Sequence, residues 1–208
     1  MEYIELFAFV EDCCTRYGID ASHGSKHSKG CMEWVQQLFG EEPDMCAEEK
    51  KVALYAAALH DMCDKKYTNP VEASERIRSW LLTQGWSREM ADAVIQISTS
   101  MSYSSLKQAA VCGIPIYPNL GIWQKAYHLA RHADLLDAYR VGRCFLYTQH
   151  IYPGIPDDEC WRIVEELFEV RVFRYVQDGW ICMPKAIELA KDLEKDARRS
   201  FQEKRFEY

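Results

Sequence analysis

The sequence predicts an all-α protein: one helical bundle across residues 1–152, with a C-terminal helical extension, residues 153–208, packed on the same domain. Three observations predict it. Apolar residues recur at helical spacing through almost the whole chain. Capping and stop residues fall at the ends of those periodic stretches. No internal repeat, low-complexity tract or convincing linker divides the 208 residues, a length that suits one domain.

Residues 2–17 mix apolar and acidic side chains at helical spacing, and Gly18 stops them. Ser22 is placed to cap a second helix that reaches about Phe39 and ends at Gly40. Asp44 is placed to cap a third, from about Met45 to Asp64, whose centre VALYAAALH is apolar on nearly every side, as in a helix at the middle of a core. Asn69-Pro70 sets a cap and a first-position proline before a fourth helix, with Glu72 positioned for a capping box. Ser87 starts a fifth that reaches about Ser100. Residues 101–120 carry Ser, Gly and two prolines with no clean period and read as a long loop, a type that is often functional or mobile. A sixth helix covers roughly 121–150. After Pro153-Gly154-Ile155-Pro156 come two more, about 157–177 and 184–206, the last rich in alternating charge.

About half the residues are apolar, enough for a sizeable core. The formal charge of −7 argues against a nucleic-acid polymer or an anionic membrane as partner. It leaves a small phosphorylated substrate open, because a local metal reverses the sign of a site. No apolar run approaches the length of a membrane span, and the acidic start MEYIELFAFVEDCC lacks the basic region of a signal peptide. Nine cysteines form no C-x-x-C pair and match no zinc-knuckle spacing, so they read as buried, reduced thiols of a cytoplasmic protein.

Three polar motifs interrupt this apolar pattern in order: Asp20-Ala-Ser22-His23-Gly24-Ser-Lys26-His27, His60-Asp61, and Ala133-Asp134-Leu-Leu-Asp137-Ala138. On a helix, His23 and His27 share a face, as do Asp134 and Asp137, and Asp64 shares the face of His60 and Asp61. Charges amid apolar neighbours usually meet one another or a metal. Two imidazoles with two carboxylates suit one divalent ion in a roughly octahedral shell, Mn²⁺ foremost, with Mg²⁺, Fe²⁺, Co²⁺ or Ni²⁺ also fitting.

The order His…His-Asp…Asp resembles the HD-domain metal-dependent phosphohydrolase superfamily, and the fuller motifs resemble its stand-alone bacterial members of the YpgQ/YedJ type. Asp20-x-Ser22-His23-x-x-x-His27, Leu59-His60-Asp61-x-x-Asp64-x-Lys66-Tyr67 and Ala133-Asp134-x-x-Asp137-Ala138 carry the likeness, which covers about residues 3–150. It implies an HD-domain bundle and metal ligands His27, His60, Asp61 and Asp134. It puts Asp64 where an acidic catalytic residue stands and turns His23, Lys65 and Lys66 toward substrate phosphates. The chain departs from the pattern at Gly24, which replaces an acid, and at Gly30 and Cys31, which replace Arg-Val. Lys26 or Lys29 is the nearest cation to stand in, without the bidentate fork of arginine. No histidine lies between Asp61 and His128, which argues for one metal rather than two.

The expected function is therefore hydrolysis of a nucleotide or similar small phosphorylated metabolite. Nucleoside-triphosphate pyrophosphohydrolysis leads and 5′-nucleotidase action is the alternative. A metal- and nucleotide-binding sensor without turnover is a rival of another class, and a satisfied polar core is a second. Asp64 is expected to orient water or take its proton, His23 to protonate the leaving group, and Lys26, Lys65, Lys66 and Tyr103 to touch substrate. Plainer alternatives stand beside these: His23 lining a helix start, Lys65 and Lys66 forming a solvated helix end, Asp137 pairing with Arg140 or Arg143, and His128 and His132 packing. A homodimer is left open.

Overall fold

Ten α-helices and a few 3₁₀ turns make up the computed structural model, which describes residues 3–206. No strand occurs among the described residues; one isolated bridge pairs Val111 with Ile114. The helices are α1 Ile4–Tyr17, α2 Ser25–Leu38, α3 Ala47–Leu59, α4 Pro70–Thr83, α5 Arg88–Ser100, α6 Tyr103–Ala109, α7 Gln124–Asp137, α8 Val141–Ile151, α9 Asp157–Val170 and α10 Pro184–Glu203. None is long and apolar enough to cross a membrane.

The centre of the bundle is α3, against which α2, α5 and α7 pack, while α2 and α7 also pack on each other. Val52, Ala53, Ala56, Ala57, Ala58 and Leu59 of α3 are all fully buried. Alanines favour the helix and let neighbouring backbones approach, so a helix without a polar face sits where it is surrounded. The extension is continuous with this core. α9 packs on α8 and α10 on α7, and Trp161, Phe168, Tyr175 and Trp180 join the same buried cluster.

Several boundaries differ from those expected. Ser22 does not cap α2, whose N-cap is Gly24 without a side-chain bond. α3 begins after Cys46, whose backbone N–H is held by Glu49, rather than at Asp44. It stops at Leu59, and His60–Cys63 form a 3₁₀ turn, after which Asp64 is extended (ψ 131°). Asp64 leaves the helix because its carboxylate accepts the Lys66 backbone N–H at 2.8 Å, a local bond that competes with the helical ladder. Asn69 caps α4 through the Val71 N–H, though Glu72 closes no capping box there, and Ser87 caps α5 through Met90 N–H. The 101–120 loop contains α6, pinned by buried Tyr103 and Leu106. A tight turn follows, with Cys112 and Gly113 both at positive φ. The expected 121–150 helix is two, α7 and α8, broken where Arg140 is extended and its guanidinium bonds back to Asp137 at 2.7 Å.

The cysteines are all free, but only Cys13, Cys31, Cys63 and Cys160 are buried; Cys46, Cys112 and Cys182 are exposed. The expectation of buried thiols fails for three of them, because Cys112 lies at a turn and Cys46 and Cys182 in connecting segments.

Candidate metal centre

The end of α3 brings His60 and Asp61 beside His27 of α2 and Asp134 of α7. His27 Nε2 lies 3.3 Å from His60 Nε2 and 3.3 Å from Asp61 Oδ2. Asp134 Oδ1 lies 3.5 Å from both imidazole Nε2 atoms, and Asp61 Oδ2 lies 3.4 Å from His60 Nε2. Such spacings match neighbouring ligands of an ion with bonds of about 2.0–2.2 Å.

The tautomers agree with this use. The Ala57 carbonyl can only accept, so His60 donates Nδ1–H to it at 2.8 Å and its Nε2 lone pair faces the cluster. His27 likewise donates Nδ1–H to Asp137 Oδ2 at 2.6 Å. Asp137 is itself held through Oδ1 by Trp34 Nε1 at 3.2 Å and Arg140 Nε at 2.7 Å. A carboxylate that fixes a ligand imidazole in this way raises its basicity. Asp61 Oδ2 is buried and has no hydrogen-bond partner. A buried carboxylate oxygen without a hydrogen-bond partner, set 3.3–3.4 Å from two imidazole Nε2 atoms, suits a positive charge, so the four residues would fit a bound metal ion.

Electrostatics point the same way. Burial works against the Asp61 and Asp134 carboxylates, yet the imidazoles of His60 and His27 hold both far below the ordinary range. Burial and Arg143 oppose a proton on His27, but Cys31, Asp134 and Asp137 outweigh them and raise its pKa well above the ordinary value. Cys31 also touches His27, with Sγ 3.6 Å from both ring nitrogens. A sulfur equidistant from the two lies off the Nε2 lone-pair axis, and burial lifts its thiol to about 12, so Cys31 packs as a protonated neighbour rather than completing a His/Cys/His site.

His60, Asp61 and Asp134 of the cluster, but not His27, line a cavity of about 450 Å³ that reaches α6, α8 and the segment after α9. Of the expected substrate contacts, His23, Asp64, Lys65, Lys66 and Tyr103 line it. Lys26 is exposed on α2 and does not. Asp64 is not on the ligand face, because the chain has left the helix before it; it reaches the cavity from the extended segment. Tyr103 is 8% exposed and carries the Arg171 guanidinium 4.3 Å above its ring, so that face is covered. Tyr117, in the same 101–120 segment, is absent from the lining and packs under Arg131.

His23 stands in the turn before α2, its ring centroid 6.3 Å from that of His27. Its Nδ1 is 3.1 Å from Asp20 Oδ2, 2.8 Å from Ser22 Oγ and 3.0 Å from Tyr67 Oη. Ser22 and Tyr67 both donate to Asp20. These bonds and the buried imidazole together hold the Asp20 carboxylate well below its usual range against the opposing effect of burial. His23 is thus an oriented histidine whose Nε2 is left for the cavity.

Two residues of weight were not singled out as site residues from the sequence. Arg143 lines the cavity, donates Nε–H to the Ser22 carbonyl at 2.8 Å and lies 3.7 Å from Asp134 Oδ1. Asp20 was visible in the first motif but not as the partner of His23. The departure at Gly30 also acquires a reason. A Cβ there would lie 2.5 Å from Asp137 Oδ1 and 3.0 Å from Arg140 Nη2, so glycine makes room for the pair that holds His27. His128 and His132 stay outside the cavity. His132 donates to the His128 carbonyl and accepts from Cys182 N–H, tying α7 to the extension.

No family model, curated protein or solved structure matches this chain.

Proposed function

We propose that the protein is a cytoplasmic, single-metal phosphohydrolase of the HD type. Its substrate is a nucleotide or similar small phosphorylated metabolite. The leading reaction is nucleoside-triphosphate pyrophosphohydrolysis, with 5′-phosphate removal as the alternative. The observation that carries this reading is the partnerless Asp61 Oδ2 among His27 Nε2, His60 Nε2 and Asp134 Oδ1, on the wall of a cavity that also holds lysines, two arginines and an oriented histidine.

His27, His60, Asp61 and Asp134 would hold the ion, Mn²⁺ foremost. When bound, it supplies a Lewis acid for a phosphoryl oxygen and lowers the pKa of water. The chain's own groups do the rest. Asp137 and the Ala57 carbonyl keep the two imidazoles in the ligating tautomer. Asp64, at the cavity edge, orients water or takes its proton. His23, fixed at Nδ1 by Asp20, delivers a proton from Nε2 to the leaving oxygen. Arg143 and Lys65 offset charge that builds on the phosphoryl group, while Lys66 grips a distal phosphate.

The test is a product assay. Protein loaded with Mn²⁺ is incubated with nucleoside tri-, di- and monophosphates, and pyrophosphate and phosphate are quantified separately. Pyrophosphate from triphosphates supports the leading reaction, and phosphate from monophosphates alone supports the alternative. Binding without product from any of them overturns the enzymatic reading.

A further inference from the structure

We propose that Arg171, supplied by the C-terminal extension, is an anion subsite for a second oxyanion of the substrate. This rests on the hydrolase reading above for the first anionic group, the one at the metal centre.

Arg171 follows α9 directly and lines the same cavity as His60, Asp61 and Asp134. Its guanidinium lies 4.3 Å over the Tyr103 ring, and its Nε donates to Tyr175 Oη at 2.8 Å. Tyr175 is fully buried and Tyr103 is 8% exposed, so both supports are fixed in the core. Among the described residues no carboxylate lies within 4.0 Å of Arg171, and its terminal nitrogens make no hydrogen bond to protein. Arg16, Arg131 and Arg205 also have no ion pair with a carboxylate among the described residues, but none of them lines the cavity, and most of the other arginines are paired. The chain has 32 acidic residues against 25 lysines and arginines. Arg76, Arg78, Arg140, Arg174 and Arg198 each pair with a carboxylate. The other cavity arginine, Arg143, is committed to Ser22 and Asp134. Arg171 keeps its charge instead at the C-terminus of α9, where the helix dipole favours a cation.

A half-buried guanidinium with its fork free and its plane stacked is preorganised for a carboxylate or phosphate. The same stacking removes Tyr103 as a platform for a base. The ligand at this end of the cavity therefore meets a planar cation rather than an aromatic face. The substrate class that fits carries two oxyanions, as in a phosphoanhydride or a phosphorylated carboxylic acid.

Non-hydrolysable probes test this by titration calorimetry on the full chain with Mn²⁺: methylphosphonate with one anionic group, methylenediphosphonate with a second phosphoryl group, and phosphonoacetate with a carboxylate. At least one two-anion probe should bind about 10-fold or more tighter than methylphosphonate, the scale of a charged hydrogen-bond pair. Arg171→Gln should erase that advantage while leaving methylphosphonate and Mn²⁺ binding unchanged. Whichever two-anion probe gains more identifies the second group. An advantage that persists in Arg171→Gln, or an equal loss for all three probes, overturns the subsite. If that variant does not fold, Tyr175→Phe decides: it should weaken only the two-anion probes, and unchanged binding overturns the proposal. Arg171-dependent binding in a protein that takes up no Mn²⁺ would keep the subsite and sink the hydrolase reading.

Discussion

Asp137 Oδ2 accepts the Nδ1–H of His27 at 2.6 Å, across more than a hundred residues of sequence. Asp137 is itself buried to 1% exposure. The side chain that orients the imidazole of α2 thus comes from the same helix as Asp134, which faces that imidazole from the other side.

Asp137→Asn keeps the shape and loses the charge. It should weaken Mn²⁺ binding by about 10-fold, the lower end of what such supporting partners contribute. Gly30→Ala should do comparable damage without touching a ligand, because the new methyl group displaces the Asp137 carboxylate. Calorimetric titration of both variants with Mn²⁺ checks this, and unchanged affinity in both removes Asp137 from the site.

Wild-type protein purified with Mn²⁺ should hold close to one ion per chain by elemental analysis. His60→Ala combined with Asp61→Ala should hold almost none, since it deletes two of the four converging atoms. Equal metal content would show that the ion, if any, sits elsewhere.

Asp64→Asn should keep the metal and lower turnover by about 100-fold or more, the scale of a general acid–base group. Asp64 reaches the cavity from an extended segment, outside the converging set. A variant with full activity would reduce Asp64 to a turn residue that accepts the Lys66 N–H.

Lys66→Ala separates phosphate grip from structure. Lys66 Nζ lies 3.8 Å from Asp64 and 5.5 Å from the centre of the Tyr147 ring, at the cavity edge. A contact to a distal phosphate contributes uniform binding, so KM for a triphosphate should rise with kcat nearly constant. A fall in kcat alone would instead place Lys66 at the transition state.

Acid should destabilise the protein before its carboxylates titrate. Burial, then the Arg131 charge, lowers His128 from 6.5 to about 4 and His132 to about 3. Both fold as neutral rings. Below pH 6.5 the unfolded chain binds protons that the folded chain refuses, so stability falls as pH drops from 6.5 toward 4. His128→Gln should flatten that slope by on the order of 1 kcal/mol, allowing for the partial exposure of His128. Urea unfolding at pH 7 and pH 4.5 measures it, and identical slopes for wild type and variant would refute the assignment.

The helical class was legible in the sequence because it rests on local chemistry, whereas the four residues that converge were picked out of the three polar motifs by the resemblance. Periodicity, Asn69-Pro70 and Ser87 mark helices by bonds within a few residues. The polar motifs stand out because charge amid apolar neighbours is costly wherever the chain places it. What the tertiary structure decided depends on groups distant in sequence or on competing local bonds. Asp64 leaves the helix because its own carboxylate captures a backbone N–H, which a helical pattern cannot foresee. α7 and α8 part at Tyr139-Arg140 with no proline or glycine at the break, where Arg140 turns back to Asp137. Gly30 looks like a lost arginine until its neighbours are in place, and then it is the space Asp137 and Arg140 occupy. Arg171 lies beyond the stretch that carries the resemblance, in a helix end with no motif. Only the packing of α9 on α8 and the ring of Tyr103 beneath it turn that arginine toward the cavity.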